Sequence, residues 1–254
     1  MGGIVEYDHQ TGGNFLPPSE SSRLTTFLRD QLGEDYVHRV VSVEFDRLPM
    51  IEQVKPITIE TLSRDVTPPV FEIAWLEELH VGVANDEGLR IAARCPSLKF
   101  LRVHYAGGIN PDGYRYLEGM PRLRRLQLGS PNLTDDSLRS FSALPALEAL
   151  IIWRQNHGGV PNVTDKGLEH LVKLEKLWWL EVDTAPGSIT DAALAHLRDL
   201  PNLQVLRIRG GDFSAEGLLQ LKSATRLREV TLGGPNTVDT SLLKKARPDC
   251  EIYP

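Results

Sequence analysis

Residues 121–144 read P-R-L-R-R-L-Q-L-G-S-P-N-L-T-D-D-S-L-R-S-F-S-A-L. In the first half, Leu126 and Leu128 fall two apart. That is the spacing that puts both on one side of a short strand, with Arg125 and Gln127 on the other. In the second half, Leu138, Phe141 and Leu144 recur at helical spacing. Thr134 stands where an N-cap belongs, and Asp135 and Asp136 follow it at the positive end of the helix. A strand, a loop and a helical return make a unit too small to bury its own apolar face. It needs a neighbour of the same kind.

Such neighbours exist. The phrase P-x-L-x-x-L-x-L recurs, and its first leucine position holds Leu76, Leu98, Leu123, Leu147, Leu177, Leu203 and Leu227. The steps between them are about 22 to 30 residues, the range of a strand-plus-helix repeat. The fourth position holds Leu79, Leu101, Leu126, Leu150, Leu180, Leu206 and Val230, and the sixth holds Val81, Val103, Leu128, Ile152, Val182, Ile208 and Leu232. Stacked units of this kind form a parallel sheet whose inner face must be covered, and the helices cover it. The helical half repeats as well. L-T-D-D-S-L at 133–138 matches V-T-D-K-G-L at 163–168 and I-T-D-A-A-L at 189–194. The Thr-Asp pairs read as helix caps rather than as a carboxylate ladder for a ligand.

The expected architecture is therefore α/β. It is a curved right-handed solenoid with the parallel sheet on the concave face, helices on the convex face and a cap at the N-terminal end. Residues 1–39 read as an arm with a strand near Ile4 and a capping helix over 21–32. Leu24, Phe27, Leu28 and Leu32 share one face of that helix. Residues 40–73 read as the first strand, with Val43 and Phe45 inward, followed by a degenerate segment. There Ile57, Ile59 and Leu62 form either a strand off the solenoid or an imperfect repeat. Residues 74–254 are the repeats, ending in a truncated strand at Glu251, Ile252 and Tyr253.

Bulk properties restrict the function. A net charge of −6 opposes nonspecific nucleic-acid binding, which needs a basic stripe. Cys95 and Cys250 sit near opposite ends of the array and read as reduced, packed thiols. With no secretory signal or membrane-spanning run, the chain reads as cytoplasmic. No nucleophile motif or metal-ligand spacing stands out, so neither an enzyme nor a cofactor or metal site is expected. His80 and His104 lie on adjacent strands without being opposite one another.

The units resemble the leucine-rich-repeat superfamily. They are closest to a bacterial subclass with a recurring L-T-D-x-x-L phrase, itself similar to the cysteine-containing repeats of F-box-type adaptors. The phrases at 3–8 and 32–43 resemble the leader that precedes the repeats in some of these proteins, of which some carry a membrane anchor further upstream. The resemblance implies a curved solenoid that binds macromolecules. One departure is plain. The slot of the laddering asparagine holds Ala84, Ala106, Pro131, Gln155, Ala185, Gly211 and Pro235.

The third, fifth and seventh positions of each unit face the concave side. Phe100, Arg102, His104, Arg125, Ile151, Trp153, Trp179, Glu181, Asp183, Arg207 and Arg209 are the candidate partner-binding residues there. Ile151, Trp153 and Trp179 are expected to form an exposed apolar patch with charged flanks, as protein interfaces do. Arg207 and Arg209, with Arg226 and Arg228, read as a solvated basic strip. The enlarged loop at 154–162 is a second candidate, with Asn156 and His157 at its centre. The expected function is a monomeric, noncatalytic solenoid that binds a protein partner. The alternatives are a substrate-selecting adaptor docked through the 21–32 helix, or a carbohydrate-binding or enzymatic module using the 154–162 loop.

Overall fold

The computed structural model describes residues 4–6, 42–44, 57–62, 76–155, 159–234 and 238–253. Among them, nine strands form one sheet, in chain order and with every neighbouring pair parallel. The first is β3 (Ile57–Leu62). There follow β4 (Glu78–Asn85), β5 (Phe100–Gly108), β6 (Arg125–Gly129) and β7 (Ala149–Trp153). Beyond these lie β8 (Trp179–Asp183), β9 (Val205–Arg209), β10 (Glu229–Gly233) and the edge strand β11 (Glu251–Tyr253). Sequential order with parallel pairing is what a repeating strand–helix unit produces.

The register follows the leucine frame. Leu101 pairs with Leu126, Leu126 with Leu150, Leu150 with Leu180 and Leu180 with Leu206. The first, fourth and sixth positions of all seven units are buried. A fully buried leucine of this kind is worth roughly 1.5–3 kcal/mol over an exposed one. At the foot of the strands one carbonyl takes two N–H groups from the next unit. Lys99 O receives Arg124 N and Arg125 N, and Arg124 O receives Glu148 N and Ala149 N.

The returns are short. They are α1 (Asp86–Ala92), a 3-10 helix at Pro111–Gly119, α2 (Asp135–Phe141), α3 (Asp165–His170), α4 (Asp191–Leu197), α5 (Ala215–Leu218) and α6 (Ser241–Ala246). Leu138, Phe141, Leu144, Leu168, Leu171, Leu194 and Leu197 turn into the core as their spacing requires. The Thr-Asp pairs cap these helices. Thr164 accepts from Lys166 N, and Thr190 from Ala192 N, both at 3.3 Å.

The same pairs also join neighbouring units, a second role beyond capping. The Asp at the first helical position accepts two bonds from the cap residue one unit on. Asp86 holds Asn110, Asp135 holds Thr164, Asp165 holds Thr190 and Asp191 holds Ser214. Three returns have no Asp there: Pro111 opens the 3-10 helix, Ala215 opens α5 and Ser241 opens α6, the last of the array. The helices that follow the first two are capped by local bonds instead. Ser137 Oγ accepts from Thr134 N, and Asp239 accepts from Ser241 N.

The missing asparagines leave their loops to other groups. The buried Thr184 hydroxyl donates toward the carbonyls of Val163, at 2.8 Å, and Pro161, at 3.1 Å. The buried Tyr114 hydroxyl meets Ser130 Oγ at 2.5 Å.

Two N-terminal expectations change. Ser42–Glu44 (β2) does not open the solenoid sheet. It pairs antiparallel with Ile4–Glu6 (β1) in a separate two-stranded sheet. The place beside β4 belongs to β3, with Ile57 opposite Leu79 and Ile59 opposite Val81. That segment is a strand of the sheet rather than one set apart from it. β-rich alternation marks a strand, but does not say which sheet it joins. The expected capping helix at 21–32 and Phe45 lie outside the described residues.

Candidate protein-binding surface

The pleat turns the third, fifth and seventh positions of each unit to the side of the sheet away from the helices. Across β4 to β11 the third-position row reads Glu78, Phe100, Arg125, Ala149, Trp179, Val205, Glu229, Glu251. Ala149 sits directly between Arg125 and Trp179, and its small side chain is buried. Ile151, on the fifth-position row, is flanked by Gln127 and Glu181.

The two tryptophans belong to different clusters. Trp153 lies opposite Gly129 of β6. A Cβ at Gly129 would fall 2.0 Å from His104 O and 2.7 Å from Trp153 Nε1, so only glycine leaves the indole its berth. Trp153 thereby meets side chains two strands away. The Arg102 guanidinium stands 5.7 Å above its ring, and the His104 ring lies edge-on at 6.2 Å. Gln155 Nε2 donates to His104 O across the same gap.

Trp179 turns the other way. Arg207 of β9 lies 5.2 Å over its ring, and Trp178 packs edge-on at 5.5 Å. Its indole Nε1 is buried with no hydrogen-bond partner among the described residues. Ile151, Trp153 and Trp179 are all half-buried, so they form two cation-capped aromatic sites beside a shallow apolar strip.

The charges divide the surface unequally. Arg209 Nη1 bridges Glu181 at 2.9 Å and Asp183 at 3.0 Å. Arg207 Nε reaches Glu229 at 2.6 Å, and its Nη1 lies 3.5 Å from Glu181. The hydrogen bond that Arg207 donates to Glu229 raises its pKa above the usual guanidinium value. The second carboxylate oxygen of Asp183 also accepts from Arg154 N at 3.2 Å. Arg207 and Arg209 are thus tied to carboxylates of their own face and are not a solvated basic strip. The cue was available: Glu181 and Asp183 hold the same positions one unit earlier.

Phe100 is half-buried and packs edge-on against His80 at 5.1 Å. Arg102, His104 and Arg125 are exposed. Burial pushes the Glu78 carboxyl up, with Arg125 pulling the other way and Glu77 adding to the rise. Beyond the core of the sheet, β4 and β5 run on to the exposed, directly opposed pair Val83 and Tyr105. The repeat frame ends at the seventh position and does not reach this pair. Asn156 and His157 lie outside the described residues.

Other chemistry is sparse. Among the described residues no group of three or more His, Cys, Asp and Glu side chains could hold a metal ion, and no helix is long and apolar enough to cross a membrane. An open groove of about 800 Å³ at the foot of β9 to β11 is lined by residues of both signs, including Arg226, Arg228, Asp249 and Glu251. Burial raises the Cys95 thiol to about 11, which disfavours a nucleophilic thiolate.

No protein-family model matches the chain, and no curated protein sequence matches it. Solved structures do. One is an internalin (inlF) of Listeria monocytogenes strain 4b F2365, with a TM-score of 0.55 at 20% identity. The match covers 73% of this chain and 49% of that one, so it spans about half the length of the internalin. An internalin C2 (inlC2) of the same strain matches with a TM-score of 0.54 at 16% identity, over 78% of each chain. At these identities the likeness speaks to the fold, and with the register above it makes the chain a leucine-rich-repeat solenoid.

Proposed function

We propose that the chain is a noncatalytic recognition module that binds a protein on the sheet face. The observation that carries this reading is the pair of half-buried tryptophans there, Trp153 and Trp179, each with an arginine stacked on its ring. A solenoid's core is already closed by its leucines, so neither indole is needed to fill it. Large aromatic rings held rigidly on an open sheet, with charged residues around them, are the usual anchors of protein interfaces. Stacking units into an array also yields an extended surface that a macromolecule can span.

The test is the double variant W153A/W179A. Both side chains lie off the leucine core, so the variant should fold. It should recover at most a tenth of the partner that the parent chain recovers from a lysate of its source. Undiminished recovery by a folded double variant contradicts the reading.

A further inference from the structure

The charge pattern of the sheet face bears on the chemistry of the protein that would bind there. Resting on the proposed protein-binding function, we infer that the face takes an acidic segment of a partner protein. Its carboxylates would bind Arg102 and Arg125, and an adjacent apolar side chain would sit against Trp153.

In the C-terminal half, Arg207 and Arg209 are held by Glu181, Asp183 and Glu229. A partner's carboxylate there would have to displace an existing one. In the N-terminal half, Arg102 and Arg125 are exposed on the adjacent strands β5 and β6, and neither is in an ion pair among the described residues. Their strands run in register, with Phe100 opposite Arg125 and Arg102 opposite Gln127. The two cations therefore lie on neighbouring rows of one patch. Glu78 is the carboxylate that acts on Arg125, and it sits at the far side of Phe100.

Arg102 is also preorganised. Its guanidinium is set over Trp153, which restricts the side chain while leaving its N–H donors for a planar acceptor. A carboxylate suits that fork, and bidentate binding adds geometric specificity. His104, exposed and edge-on to the same ring, supplies a further polar contact. A polyanion such as nucleic acid fits poorly. It needs a continuous basic track, and here the acidic positions of β8 interrupt it and hold the arginines of β9, in a chain of net charge −6.

The experiment is selection of a phage-displayed random dodecapeptide library on the full chain. Binding of the selected peptides is then measured by fluorescence anisotropy to the parent, R102E/R125E, W153A and the convex-face control R139E, each checked for folding by its thermal melt. The expected peptides are enriched in Asp and Glu beside an apolar residue. They should lose at least tenfold in affinity on R102E/R125E and keep it on R139E. Replacing their acids by lysine should weaken binding to the parent and restore it on R102E/R125E. Peptides without acidic enrichment, acidic peptides indifferent to R102E/R125E, displacement by heparin regardless of peptide sequence, or a library that yields no binder would each overturn the inference. Non-acidic peptides that still fail on W153A would overturn it while leaving sheet-face binding intact.

Discussion

The Asp135 carboxylate grips Thr164 of the next unit twice, accepting from its backbone nitrogen at 2.8 Å and from its hydroxyl at 2.7 Å. The same hydroxyl accepts from Lys166 N. One carboxylate thus orients the cap of the following helix, and the contact recurs wherever an Asp opens a helix and a cap residue follows one unit on. Removing it should cost the stability of a charge-assisted pair. For D135A we expect a loss of about 1.5–3 kcal/mol in urea unfolding. Because Thr164 acts through the same bonds, D135A and T164A should be non-additive by at least about 0.5 kcal/mol. Simple additivity would reduce the pair to two independent caps.

Gly167 lies against this clamp. A Cβ there would fall 2.4 Å from Asp135 Oδ1 and 3.1 Å from its Cα. Helix propensity alone favours alanine over glycine by about 1 kcal/mol. The clash should reverse that sign, so that G167A lowers the melting midpoint. The control is Gly119, where a Cβ meets nothing within 4 Å. G119A should stay within about 0.5 kcal/mol of the parent. Stabilisation by G167A would contradict the packing described.

At the other end, Arg247 fills a slot held by leucine in the plainer units. It is only 7% exposed. It donates to Ala224 O at 2.6 Å and Leu227 O at 2.8 Å, and it pairs with Asp249. R247A would strip Leu227 O of this donor and leave Ala224 O with Leu227 N alone, and we expect a loss of about 1.5–3 kcal/mol. Hydrogen exchange should show the loss first in α6 and β11, as fraying of a terminal unit. Uniform loss along the array would argue against a local lock. The bond from Arg247 also holds the Asp249 carboxyl below its ordinary value of 3.8. Its contribution is therefore present above that pH and is lost as pH falls through the lowered value.

Cys95 tests the core from inside. With burial raising its thiol from 9.0 to about 11, thiolate at pH 8 falls by about a hundredfold. Burial also raises the thiol of the half-buried Cys250, though by less, so alkylation by iodoacetamide should be slower at Cys95 than at Cys250. The sign for stability follows. A raised folded pKa leaves this contribution whole below pH 9 and removes it as pH climbs toward 11. Equal rates at the two thiols would mean that the unit around Cys95 opens readily.

These features differ in how far the sequence foretells them. Leu76, Leu98 and their successors recur in a frame that periodicity alone reveals, because a period of two followed by helical spacing has one compact solution. Asp135 does not reveal its second partner. Its capping role is local, whereas Thr164 lies 29 positions on and becomes a neighbour only through the register. Trp153 and Trp179 read as one patch because their strands adjoin. The bare Gly129 draws one ring toward β5 and Arg207 covers the other, and neither direction is written in a strand pattern. Arg207 and Arg209 read as a free strip when taken with the arginines after them, while their acidic partners stand one unit before, at Glu181 and Asp183, and one unit after, at Glu229. Ser42–Glu44 shows the same limit, since β propensity carries no address.

The central claim is that the sheet face meets a protein partner. It is tested most directly by placing a photocrosslinking benzoylphenylalanine at Gln127, in the middle of that face, and separately at the exposed Lys173 behind it. Irradiation in a lysate of the source should give a discrete protein adduct from position 127 and none from position 173. An adduct from 173 with none from 127 would contradict the account.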